Sequence, residues 1–243
     1  MPDLKNDSII YLKSCERKVS AMTNVVEKEI FCRECGKGSV TELYPTVRVS
    51  DETELRQKVF DGSLTLWECP ECGAQTRLSY PLLYSDIKRG FLIYLIPHTE
   101  KFCTVDEALE SLYPELAHLR RRTVPTFSAL KEKIYCFENG LDDMALELAK
   151  LAVSRTVADR FGVKRVGEGY LSMYDLENNT IGFTFFVGQN KEPYLQSARL
   201  ELYSKSIRIV NEIAAKDRKK SGFLKIDREW ADNIIYRYNA SKK

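Results

Sequence analysis

Residues 32–38 read CRECGKG and residues 69–75 read CPECGAQ. The chain thus writes Cys-x-x-Cys-Gly twice, the second copy 37 residues after the first. Two cysteines with two residues between them can close on one metal ion from a tight turn. A glycine after the second cysteine lets the backbone take positive φ, and nearby N–H groups can then point at the sulfurs and temper their charge. Zinc asks for four such soft ligands in a tetrahedron, at Zn–S distances of about 2.3 Å. Cys32, Cys35, Cys69 and Cys72 supply the set, with Gly36 and Gly73 in the turns. The expected site is one structural Zn2+ held by four thiolates, closed and therefore not catalytic.

The stretch between the pairs is 33 residues, longer than the usual spacing of about 15–20. It fits if it holds strand, helix and strand. A redox dithiol is a rival reading. It needs a low-pKa cysteine at a helix start in a βαβ setting, and duplication of the motif argues against it. Chance cysteines in a core are the third reading.

The 243 residues, 44% of them hydrophobic, suit one large domain or two small ones. That length can bury a core without help from a metal. The net charge of +2 mixes both signs and carries no polyanion signal. A zinc dication on four thiolates adds about −2 and brings the net close to zero. No apolar run approaches the length of a membrane span, and MPDLKNDSIIYLKSC is too polar for a secretory signal. Seven cysteines, four of them in two tight pairs, point to a reducing compartment and a cytoplasmic location.

Residues 1–27 read as an N-terminal extension, with a weak helical rhythm through Ile9, Ile10, Leu12 and Cys15. Met22 stands as an alternative start of translation. Strands are expected over 39–50, 63–69, 74–84 and 91–97, the last closing the first half, with a helix over 50–62 ended by Gly62. DEALESLYPELAHL (106–119) reads as a helix broken at Pro114, and RRRTVPT (120–126) as a strand or connector. Helices follow over 126–140, 141–162, 200–216 and 228–238, with a hairpin over 168–188 turning at Asn178–Asn179 and a short strand over 223–227. No internal repeat is read beyond the two cysteine knuckles. The fold class is α+β: a zinc-ribbon-like β domain with one inserted helix (28–124), then a helix-rich α+β domain with a β-hairpin (125–243).

Other candidates carry duller alternatives. His98 and His118 are the only histidines, and no nucleophile motif accompanies them. Cys136 reads as a core packer; Cys103 and Cys15 suggest no chemistry. Glu138, Asp142, Asp143 and Glu147 gather at a helix junction. Such acids can do acid–base work or hold a hard cation, and they also match a helix dipole. Arg120, Arg121 and Arg122, and KDRKK (216–220), can grip phosphate or line a solvated face. Tyr44, Trp67, Tyr80, Tyr84 and Tyr94 surround the knuckles, where they can stack bases or form the core. Gly167 and Gly169 lack the rest of any phosphate loop.

The stretch CRECGKGSVTELYPTVRVSDETELRQKVFDGSLTLWECPECGAQTRLSYPLLYSD, followed by FLIYLIP, resembles the CpXC domain of bacterial and archaeal proteins. The likeness covers roughly 30–97 and extends to KIYCFENGLDDMALELAK (133–150). The first pair reads CREC, so Arg33 stands where the family has proline; no ligand is affected. The resemblance implies a metal role for the four cysteines and no particular activity. The function expected from the sequence is therefore a non-enzymatic protein-interaction module with no membrane association, its protein partner unidentified. A nucleic-acid-binding zinc-ribbon protein is the alternative, and an enzyme using the acidic cluster 138–147 a further one.

Overall fold

The computed structural model describes residues 9–11, 25–49, 53–97, 118–220 and 222–242. The chain divides into two compact units, Met1–Phe127 and Ser128–Lys243. Both contain helix and sheet, and the fold class is α+β.

The first unit is built on two copies of one pattern. Strands β2 (Val26–Phe31) and β3 (Gly38–Leu43) flank the first cysteine knuckle, and β5 (Leu66–Glu68) and β6 (Gln75–Ser79) flank the second. Both ladders are antiparallel. The pair Phe31↔Gly38 corresponds to Glu68↔Gln75, and Ile30↔Ser39 to Trp67↔Thr76, at the same 37-residue offset that relates the cysteines. Each copy then reaches a Tyr-Pro step, Tyr44–Pro45 and Tyr80–Pro81, and continues into a further strand, β4 (Thr46–Arg48) or β7 (Leu82–Asp86). Those two strands pair in parallel, Val47 opposite Tyr84, again 37 residues apart. The repeat is therefore strand–knuckle–strand–strand, more than the knuckles alone. Helix α1 (Thr53–Asp61) and a short 3-10 turn (Ser63–Thr65) join the copies.

The prolines explain two departures from the sequence reading. Residues 39–50 and 74–84 each form two strands, because a proline lacks the N–H that a ladder needs. At Pro45 and Pro81 the chain leaves the knuckle ladder for a four-stranded sheet of order β4-β7-β8-β9. There β8 (Phe91–Leu95) is not the last strand of this unit. Strand β9 (Arg120–Val124) follows and pairs parallel to it. Residues 63–65 turn before β5 begins. Strand β1 (Ile9–Tyr11) pairs parallel to β6, replacing the helical rhythm expected there. Of the helix expected over 106–119, residues 106–117 lie outside the described residues and 118–119 form a turn.

In the second unit, helices α2 (Phe127–Glu138) and α3 (Asp143–Arg160) precede a three-stranded meander, β10 (Gly169–Asp175), β11 (Thr180–Val187) and β12 (Glu192–Arg199). Asp142 caps α3, accepting from the N–H groups of Met144 and Ala145 at 2.9 and 3.0 Å. Twelve of the 18 residues of α3 are buried, so it is the central helix of this unit. It packs against the meander, α4 (Leu200–Ile213) and α6 (Arg228–Ser241), with the single turn α5 (Ala215–Arg218) between those two. The expected hairpin is thus extended by a third strand. Strand β12 escaped notice because it is an edge, half exposed, and carries Pro193, which an edge tolerates. Residues 223–227 form no strand, only an isolated bridge at Leu224. Among the described residues no helix is long and apolar enough to cross a membrane.

Candidate metal centre

The two knuckles have the same backbone. The N–H groups of Gly36 and Gly73 donate to the carbonyls of Cys32 and Cys69 at 2.9 Å, and those of Cys32 and Cys69 donate to Lys37 and Ala74 at 2.9 Å. Gly36 and Gly73 both sit at φ +72°, a left-handed conformation that other residues resist. A Cβ at either position would meet nothing within 4 Å, so the requirement is conformational and not steric.

This geometry brings the four sulfurs of Cys32, Cys35, Cys69 and Cys72 within 4.8 Å of one another. Cys32 and Cys72 lie 3.6 Å apart and Cys35 and Cys69 3.7 Å. The edge of a thiolate tetrahedron around zinc is about 3.8 Å, from a Zn–S bond of about 2.3 Å. The donor set and its spacing therefore suit one metal ion. Cys32 and Cys69 are buried, and Cys35 and Cys72 face outward. The Cys35 N–H beside Cys32 brings its thiol down to about 7. At Cys72 the Ala74 N–H lowers and is outweighed by burial and the neighbouring thiols of Cys32, Cys69 and Cys35, which push it up to about 12. Four thiols crowded this closely cannot all ionise without a cation among them. Lys37 and Glu71 join the two knuckles across the site at 2.6 Å.

Residues 30–150 match the model of the CpXC protein family. This segment is a CpXC domain. The match runs past the cysteines, through β9 and α2 and into α3, ending at Lys150. No match was found among curated proteins or among solved structures.

The remaining candidates fall out differently. Trp67, Tyr80 and Tyr84 are buried and belong to the core, while Tyr44 and Tyr94 are half-buried. Arg121 and Arg122 are buried in β9 at 6% and 7% exposure, and only Arg120 is partly open. In the 216–220 run, Arg218 pairs with Asp142 and Lys220 with the buried Asp217. His118 is exposed; His98, Cys15 and Cys103 lie outside the described residues. Cys136 is fully buried, and burial pushes its thiol well up. Gly169 lies under the Phe185 ring across the ladder, where a Cβ would collide, so its role is packing.

Two members of the acidic cluster, Asp143 and Glu147, are drawn into a buried ion network that the sequence did not announce. Lys133 of α2 meets Asp143 at 3.0 Å and Glu147 at 4.0 Å. Lys150 meets Glu132 at 2.8 Å and Glu147 at 3.0 Å. Glu132 also accepts the N–H of Leu171 at 2.7 Å, tying α2 to β10. The available signal was spacing: Asp143, Glu147 and Lys150 stand at i, i+4 and i+7, one face of α3.

Proposed function

We propose that this CpXC protein is a non-enzymatic interaction module whose first unit is organised by one structural Zn2+. The observation that carries the reading is the set of four sulfurs within 4.8 Å of one another, two of the pairs at 3.6 and 3.7 Å. Four protein thiolates fill the coordination of zinc and leave no position for water or substrate. The metal then acts as a fold-holding staple, and it fixes two knuckle hairpins as a rigid surface. A site of four reduced thiols suits a reducing compartment, and a cytoplasmic location is part of the same proposal.

Two further observations weigh against the other readings. Asp143 and Glu147, the acids best placed for catalysis, are committed to Lys133 and Lys150. Nucleic-acid binding is the second reading, and Arg121 and Arg122 are too buried to reach phosphate. The test is capture of the tagged, full-length protein's partners from its native lysate, with and without nuclease. Protein partners that survive nuclease are expected. Partners lost on nuclease treatment, with nucleic acid retained in the untreated half, would overturn the reading in favour of the second.

A further inference from the structure

The two knuckle hairpins are equivalent strand for strand, yet their outer edges are treated differently. In the second copy, β6 carries β5 on one side and β1 on the other, with Ile9–Tyr11 running parallel along Arg77–Ser79. In the first copy, β3 carries β2 on one side, and no strand among the described residues lies along the other. The 37-residue offset maps Arg77–Ser79 onto Val40–Glu42. That edge is open: Val40 is 67% exposed, and Gly38 and Glu42 are exposed beside it.

The phase of the ladder makes this edge usable. The Cys32 N–H donates to the Lys37 carbonyl. Because bonded and non-bonded pairs alternate along an antiparallel ladder, Ser39, Thr41 and Leu43 face β2, and the N–H and C=O groups of Val40 and Glu42 point outward. The β2–β3 register runs from Val26↔Leu43 to Phe31↔Gly38 with no bulge. None of the usual edge protections, a bulge, a proline or a lysine, occupies β3. The exposed face of the β2–β3 hairpin carries Phe31 of β2, 60% exposed, and Val40 of β3, among the carboxylates of Glu27, Glu29 and Glu42. An apolar pair among three acids suits a segment with one large apolar side chain flanked by basic ones, and it disfavours a second copy of the same acidic face.

We propose that the free edge of β3 docks an extended, apolar and basic segment of a partner protein, added as a parallel strand along Val40–Glu42. The proposal rests on the interaction-module reading and names its surface. Backbone hydrogen bonds supply the affinity, and the flanking acids favour a basic segment.

The probe is a fluorescein-labelled peptide of this chain's residues 5–14, KNDSIIYLKS, which contains the strand seen at the equivalent edge and two lysines. It is titrated into the full-length, metal-loaded protein. Saturable binding that weakens with salt is expected, with amide protection appearing at Val40 and Glu42. Val40→Pro removes one outward donor and is expected to weaken binding about tenfold, the worth of one backbone hydrogen bond. Its metal content and unfolding midpoint should stay those of wild type. Where that variant fails to fold, a peptide N-methylated through its Ile-Ile-Tyr segment gives the same loss on the wild-type protein. A peptide with both lysines replaced by glutamate should bind more weakly.

Absence of binding overturns the proposal, as does binding indifferent to N-methylation or protection confined to Arg77–Ser79. A wild-type dimer that becomes monomeric with Val40→Pro also overturns it, by making a second copy the occupant. Lysate capture by both proteins separates the two levels. Identical protein partners on wild type and Val40→Pro would sink this edge and leave the module reading standing. Capture of nothing by either would sink the module reading itself.

Discussion

At the scale of single residues, the site depends on two kinds of position. In the proposed site the cysteines are the ligands, and removal of one would leave three thiolates and an open coordination position. Cys69→Ser is expected to abolish stable zinc retention and to unfold the first unit, because structural zinc contributes on the order of 10 kcal/mol to such folds. Metal content after gel filtration and circular dichroism on the same sample check it. The glycines act through φ alone. Gly36→Ala and Gly73→Ala should each cost about 1 kcal/mol, the strain of a left-handed non-glycine residue. Because the added methyl has no neighbour to strike, the loss should appear as weaker zinc affinity in a chelator competition, with the fold retained. A Gly36→Ala protein that binds zinc as tightly as wild type would show that this φ is not required.

At the scale of elements, two of the acids that the sequence offered for acid–base work, cation binding or helix-dipole matching, Asp143 and Glu147, belong to an ion network between α2 and α3. Its lysines are held charged by their partners. Burial pulls the Lys133 ammonium down, and Asp143, Glu147 and Glu132 outweigh it, leaving it above its ordinary 10.5. Burial likewise opposes Lys150, and Glu132 and Glu147 raise it above 10.5. Lys133→Met removes a buried ammonium that pairs with Asp143 and Glu147 and should destabilise the protein by about 3–5 kcal/mol. Arg155→Met, which breaks the exposed pair with Asp232, should cost less than about 1 kcal/mol. Urea unfolding of the two variants decides between them; equal small losses would show the network to be dispensable. The pH dependence has a defined sign. A lysine raised in the folded state contributes fully below its unfolded value and loses that contribution as pH rises through the folded one. The gap between wild type and Lys133→Met should therefore hold constant through neutral pH and shrink as pH rises above 10.5.

The same scale shows what could be read in advance. The knuckles, α1, both long helices and the first two strands of the meander follow local rules of cysteine spacing, helix periodicity and turn chemistry, and these were legible. The repeat was not, because it lives in register. Val47 pairs with Tyr84 and Ile30 corresponds to Trp67, which share little beyond being buried. Strand β9 was ambiguous because a run of three arginines does not look like a buried strand, yet Arg121 and Arg122 are both inside. Charges become burial candidates only once a partner is in place, and partners are tertiary information.

At the scale of the whole molecule, the CpXC match ends inside α3 while the two compact units meet at Phe127 and Ser128. The family segment therefore includes the cysteine site and all five members of the buried network, one in each unit. Metal dependence should nonetheless be unequal. A strong zinc chelator is expected to remove amide protection from the strands of the first unit and to leave α3 and β11 protected, which hydrogen exchange on the full chain reads directly. Simultaneous loss in both units would make the metal a staple for the entire chain.

The central claim is that Cys32, Cys35, Cys69 and Cys72 form one closed zinc site, and elemental analysis combined with thiol titration on the natively purified protein tests it most directly. The account predicts about one zinc per chain, with these four thiols shielded from a thiol reagent until a chelator is added. Protein free of zinc, with all seven cysteines reacting at once apart from any delay at buried Cys136, would contradict it.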